Sequence, residues 1–137
     1  MADAQKERVY EMERQELRGH RAHLLPLKKI RRLVRAACRV YGVPPVTIRV
    51  WAVRGFGASY DHDRGAIQLD PKSGRNGLIL AHELAHHFTW SKYPKAQDHG
   101  PTFAWYYGAI LHGWRLVPYE GFRAICRKHG VKVKRPD

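Results

Sequence analysis

Apolar positions recur every three or four residues through 26–41, where Leu27, Ile30, Leu33, Val34 and Ala37 alternate with Lys28, Lys29, Arg31, Arg32 and Arg35. That period predicts an amphipathic helix with a basic outer face, ended by Gly42 and broken by Val43-Pro44-Pro45. Upstream, 3–19 is polar and charge-mixed and reads as a helix closing near Gly19. The period then falls to two. Residues 46–53 alternate apolar and polar with β-branched content and read as a strand, and 55–60 and 64–69 read as short strands joined by the turn Asp61-His62-Asp63. After the turn-forming stretch at 73–77, Leu78-Ile79-Leu80-Ala81 opens a helix over 74–91, with Ser73 or Asn76 as its N-cap. A helix over 101–113 follows, with Pro101 in its first turn and an apolar, aromatic body. A short helix near 119–129 precedes a basic tail. Trp105, Tyr106 and Tyr107 are expected to be core residues of the 101–113 helix, with a tyrosine hydroxyl able to reach a nearby cleft.

The helix over 74–91 carries His82-Glu83-Leu84-Ala85-His86, an H-E-x-x-H pattern. With His82 set at zero, His86 falls about 40° and Glu83 about 100° around the helix, so the three share one sector. Two imidazoles one turn apart can bind one zinc ion, and the adjacent carboxylate can take a proton from water there. Leu78, Ala81, Leu84, Ala85 and Phe88 form a separate apolar stripe, so one face is expected to pack and the other to carry chemistry. His87, about 100° from His86, is a poor ligand for the same ion and is expected to support the site or face solvent. His62 between Asp61 and Asp63 reads as part of an Asp-rich turn, which needs no metal.

A catalytic zinc site uses three protein ligands and leaves a place for water. Downstream candidates for the third ligand are Asp98, His99, His112, Glu120 and His129. His99 fits best, because Ser91-Lys92-Tyr93-Pro94-Lys95 reads as a helix end and loop that lets the chain turn back.

The pattern His82-Glu83-Leu84-Ala85-His86, then a loop, then His99-Gly100-Pro101-Thr102-Phe103 resembles the SprT-like zinc metallopeptidases, with His99 in the third-ligand place and Phe103 in the following aromatic place. Ala66-Ile67-Gln68-Leu69 looks like the short strand such proteins carry before the metal helix, and the likeness spans roughly residues 40–115. The opening Asp3-Ala4-Gln5-Lys6-Glu7-Arg8-Val9-Tyr10-Glu11 resembles the start of small metallohydrolases found in bacteria and phages. The resemblance implies a minimal zincin-like α+β fold: a small three-stranded mixed or antiparallel sheet against the H-E-x-x-H helix, with N-terminal helices and a partner helix. It also implies zinc, proteolysis and, in the better-known members, work on DNA-bound proteins. SprT-type chains often end in a four-cysteine zinc ribbon. Only Cys38 and Cys126 are present here, far apart and in apolar helical runs, so no ribbon is expected and both read as buried thiols.

The chemistry expected is peptide-bond hydrolysis, with zinc on His82, His86 and His99 and Glu83 as general base. Tyr106, Tyr107, His112 and Arg115 are candidates to stabilise the oxyanion. The strand over 64–69 is expected to present an edge to an extended peptide.

The length of 137 residues fits one domain, 1–137, with 1–25 as an N-terminal helical extension and 130–137 as a basic tail. No run of about 20 apolar residues occurs, so no membrane span is expected. The opening residues lack an apolar signal region, which points to a cytoplasmic protein. Lysine and arginine number 25 against 12 aspartate and glutamate, a formal charge of +13. That excess favours polyanionic partners, nucleic acid above all, and would place the protein at the nucleoid. Lys28, Lys29, Arg31, Arg32, Arg35 and Arg39 are the candidate phosphate contacts, with a second basic cluster from Arg123 to Arg135. Two rival readings belong to other classes. One is a non-catalytic zinc protein, with Asp98 as a fourth ligand. The other is a basic nucleic-acid-binding module whose histidines are incidental.

Overall fold

The computed structural model describes residues 3–21, 23–55 and 57–137. Within them the chain runs α1 (Lys6–Met12), α2 (Leu27–Tyr41), β1 (Thr47–Val50), β2 (Ala58–Asp61), β3 (Ala66–Leu69), α3 (Gly77–Lys92), α4 (Pro101–Gly113) and α5 (Tyr119–Lys128). This is an α+β fold with five α-helices and one small mixed sheet.

The helical stretch expected to close near Gly19 closes at Arg21, but only its first part is α-helical. Past α1 the chain continues as a π-helical turn over Glu13–Leu17 and a 3-10 turn over Arg18–Arg21. A π turn holds more residues than the α turn it replaces and re-aims the side chains that follow, a device frequent at functional sites. Val9, Met12, Glu13 and Leu17 point inward and are buried. In α2 the basic amphipathic pattern is realised as expected. Ile30, Val34, Ala37 and Cys38 face the core, and Gly42 ends the helix in the left-handed conformation at φ 66°.

The sheet order is β1-β3-β2, with β2 antiparallel and β1 parallel to β3. Ile67 thus pairs with Tyr60 on one side and Ile48 on the other. All four residues of β3 are buried, as befits a central strand. This corrects the expectation that the 64–69 strand offers an edge: both of its sides are taken, and the outer strands are β1 and β2. The 55–60 strand begins later, at Ala58, and Phe56 lies outside the described residues. Asp61 Oδ1 accepts the N–H groups of Asp63 at 3.1 Å and Arg64 at 3.3 Å, so the Asp-rich turn is a hydrogen-bonded one, with Gly65 at positive φ completing it.

The loop into α3 is built on Asp70, whose carboxylate accepts the N–H groups of Val53, Lys72 and Ser73. Those donors hold its acid down at about 2. Asn76 is the N-cap of α3, accepting the N–H of Ile79 at 2.9 Å. The helix is buried nearly all round, not along one stripe. It packs on α4, on β2 and β3 and on the 3-10 turn at Arg18–Arg21. Gly108 of α4 has no room for a side chain, since a Cβ there would sit 2.6 Å from Phe122 of α5. Cys38 and Cys126 are free, buried thiols, as expected.

Candidate metal centre

α3 supplies His82 and His86 from adjacent turns, and the loop before α4 returns His99 to them. One ligand nitrogen from each of the three lies within 4.8 Å of the others. Their ring centroids are 5.0 Å (82–86), 5.4 Å (82–99) and 4.6 Å (86–99) apart. The Phe103 ring forms the floor, stacked on His86 at 4.5 Å and edge-on to His82 and His99 at 5.1 Å each. His82 and His99 are buried and His86 is half-buried.

The second nitrogen of His82 and that of His99 are held. His82 Nδ1 lies 2.5 Å from Glu13 Oε2, which also accepts the Tyr107 hydroxyl at 2.7 Å. His99 Nδ1 lies 2.6 Å from Asp3 Oδ2, while Asp3 Oδ1 accepts the His99 backbone N–H at 3.0 Å. Carboxylates so placed fix the tautomer and orientation of metal-binding imidazoles. His99 Nε2 is buried with no hydrogen-bond partner, a costly state unless it has a ligand to meet. Three converging nitrogens, one of them an orphan, fit a metal ion.

Electrostatics agree with that donor set. Burial pushes His86 well below the usual imidazole range, helped by repulsion from His82 and His99, and burial likewise lowers His99. Both rings are therefore kept neutral and able to donate a lone pair. For His82, burial acts downward but the Glu13 carboxylate outweighs it and the net direction is up. Glu83 is 4% exposed, and burial raises its acid to about 7.

The remaining candidates are dispersed. Tyr107 is fully buried and spends its hydroxyl on Glu13. Tyr106 packs on Tyr41 and Phe88, with no ring contact to the three histidines among the described residues. His112 and Arg115 are exposed, His112 accepting the N–H of Tyr119. Asp98 is exposed and no Asp, Glu or Cys joins the three histidines among the described residues. His87 is buried as a clamp, with Nδ1 2.8 Å from the Tyr60 hydroxyl and Nε2 2.7 Å from the Pro44 carbonyl, tying α3 to β2 and to the turn before β1. Lys28, Lys29, Arg31, Arg32, Arg35 and Arg39 are all exposed, and Arg31, Arg35 and Arg39 line a groove of about 450 Å³ against β1.

Sequence reasoning missed Asp3, Tyr10 and Glu13. The Tyr10 ring lies 5.1 Å from that of His99 and 6.2 Å from that of His82. Residues 1–25, expected as an extension, thus include the cover of the centre and two of its supports. A signal for Glu13 existed: it falls at helical spacing among Val9, Met12 and Leu17, an acid on an apolar face. None existed for Asp3.

No protein-family model, no curated protein and no solved structure matches the chain.

Proposed function

We propose that the chain is a zinc metallopeptidase. The observation that carries this reading is the pairing of a three-nitrogen cluster with a buried carboxylate, Glu83, in the same helical turn. A structural zinc site closes itself with a fourth protein ligand and needs no base, whereas three ligands and an adjacent carboxylate suit an open hydrolytic site. An all-imidazole set favours zinc over the hard cations that prefer oxygen. Kinship with the SprT-like peptidases is part of the same proposal and rests on the spacing of His82, Glu83, His86, His99 and Phe103.

Zinc bound at the three histidines would supply Lewis acidity to a water and to the scissile carbonyl. The protein does the rest. Glu13 and Asp3 hold His82 and His99 in one orientation, Phe103 stacks on His86, and its ring keeps water from their rear. Glu83 accepts the proton of the attacking water and returns one to the leaving amine. A carboxylate whose acid sits near neutrality is suited to both tasks. β2 is the outer strand beside His86 and His87, and we infer that an extended substrate pairs there.

Equilibrium dialysis should give one zinc ion per chain, and the loaded protein should cut unfolded casein. Chelation should abolish cleavage and added zinc restore it. Failure to bind metal, or full cleavage after its removal, would refute the reading.

A second reading concerns a partner. From residue 17 to residue 60 the chain has ten lysines and arginines and no aspartate or glutamate. We infer that the exposed face of α2 meets phosphates of nucleic acid. Charge reversal at Arg31, Arg35 and Arg39 together should lower the slope of log affinity against log salt by about 2–3 on a DNA duplex. An unchanged slope would return α2 to a solvated face.

A further inference from the structure

α3 continues its metal-site face past the second histidine of the motif. Thr89, Trp90 and Tyr93 stand three, four and seven positions after His86, so they follow it along one side of the helix. With His86 itself, Tyr60 of β2 and His62 of the following turn, they line a recess of about 40 Å³. Its walls are held. The Tyr60 hydroxyl lies 2.8 Å from His87 Nδ1, and the Tyr93 hydroxyl donates to the backbone oxygen of Asp137 at 2.8 Å. The Trp90 ring leans on that of His62, 4.0 Å between centroids, and is 41% exposed, a large apolar side chain left open to solvent beside the centre. Position follows from the same residues. His86 is part of the wall, and Trp90 is one helical turn further on, about 5.4 Å along the axis. Residues of an extended chain advance by about 3.3–3.6 Å each. A substrate carbonyl at the ion thus brings a side chain one or two residues away over the recess. Strand geometry agrees. Tyr60 turns its ring to α3, and residues opposite each other on paired strands point to the same side of the sheet. A chain lying along β2 therefore turns every second side chain toward this recess.

We propose that this recess is a specificity subsite that admits a small side chain of the polypeptide substrate, alanine or serine, beside the scissile bond and turns bulky ones away. The inference rests on the peptidase reading of the centre. The space holds a few waters, hence a side chain of about one to three heavy atoms. A leucine or phenylalanine would have to displace rings that are hydrogen-bonded or stacked, and overfilling a rigid site is costly. Size decides here before charge does. The Thr89 hydroxyl is engaged by the Ala85 carbonyl at 2.8 Å, and Asp98, which also borders the recess, is exposed to solvent, where its field is screened.

The test uses the full chain loaded with zinc and quenched peptides of one cleavable sequence, with Ala, Ser, Leu, Phe or Lys placed in turn at each position around the bond. At one fixed position Ala and Ser should give a kcat/KM about 10- to 100-fold above Leu and Phe. In Trp90→Ala the ratio of Phe to Ala turnover at that position should rise about tenfold, because the exposed wall is cut away. His62→Ala, which removes the ring on which Trp90 leans, should move the ratio the same way in smaller measure. Zinc content and melting temperature confirm that each variant is folded. Equal turnover of Ala and Phe peptides at every position by the wild type would overturn the proposal and leave the peptidase reading intact. So would a size preference that Trp90→Ala leaves unchanged, or a preference for Lys over Ala at that position, which would make Asp98 the determinant. Hydrolysis of no peptide by the wild type would sink the peptidase reading, and binding then decides the recess. It is read by anisotropy with the Glu83→Gln protein and a labelled Ala peptide. Displacement by unlabelled Ala peptide at about tenfold lower concentration than by the Phe peptide, lost when Trp90→Ala is added, would support the recess, and equal displacement would overturn it.

Discussion

Glu83→Gln should bind zinc as the wild type does and lose about 10²- to 10⁴-fold in kcat, the usual share of a positioned general base. The substitution keeps the shape of the side chain and removes only its ability to take a proton. Glu83 is 4% exposed and is not one of the three clustered nitrogens, so neither packing nor the donor set changes. Stability should hold or rise. The buried position disfavours the charged carboxylate, as the upward displacement of its acid to about 7 records, and an amide carries no such cost. Loss of turnover therefore cannot be ascribed to unfolding if the melting temperature is measured alongside. KM should change little, because Glu83 acts on the proton in flight more than on the resting substrate. A variant that turns over at the wild-type rate would end the general-base assignment. One that loses its zinc would make Glu83 a support of the metal instead.

α3, its partner α4 and the three clustered histidines could be read from sequence because their signals are local. H-E-x-x-H fixes geometry within one helical turn, and the apolar run before it, Asn76 as cap and Pro101 at the head of α4 set the boundaries. The basic face of α2 was legible for the same reason. Strand order was not. Nothing in Ala66-Ile67-Gln68-Leu69 says which neighbours it takes, and a short apolar strand reads alike at an edge or in the centre; the uninterrupted burial of β3 is a consequence of β1 arriving parallel on its free side. The support of the site was the largest omission. His99 meets Asp3 across 96 positions and His82 meets Glu13 across 69, contacts that only the tertiary fold makes. The α3 stripe assigned to chemistry needed a cover, and the polar look of 3–19 hid the four inward residues that provide it. Once Val9, Met12, Glu13 and Leu17 are seen as one face, a charged residue among three apolar ones is the anomaly, and a buried imidazole on α3 is what resolves it.

That pairing makes Glu13 the residue outside the ligand set whose loss should cost most. Glu13→Ala should weaken zinc binding about 10- to 100-fold, as removal of a carboxylate behind a ligating histidine does. It should also destabilise the metal-free protein by about 3 kcal/mol, because His82 Nδ1 and the Tyr107 hydroxyl both lose their buried acceptor. The two effects can be separated. Glu13→Gln fills the same volume and keeps an acceptor oxygen, so it should recover most of the melting temperature while leaving zinc affinity reduced, since an amide cannot stabilise the polarised imidazole as a carboxylate does. Tyr107→Phe removes one of the two donors and leaves His82 oriented. It should cost about 1 kcal/mol of stability and shift zinc affinity far less than Glu13→Ala. Combined with Glu13→Ala it should add little, because the hydroxyl has already lost its acceptor; the shortfall from additivity measures the Glu13–Tyr107 contact directly. Wild-type zinc affinity in Glu13→Ala, measured by competition with a coloured chelator, would show that His82 keeps its orientation from helix packing alone, and Glu13 would then be a residue of folding and not of the site.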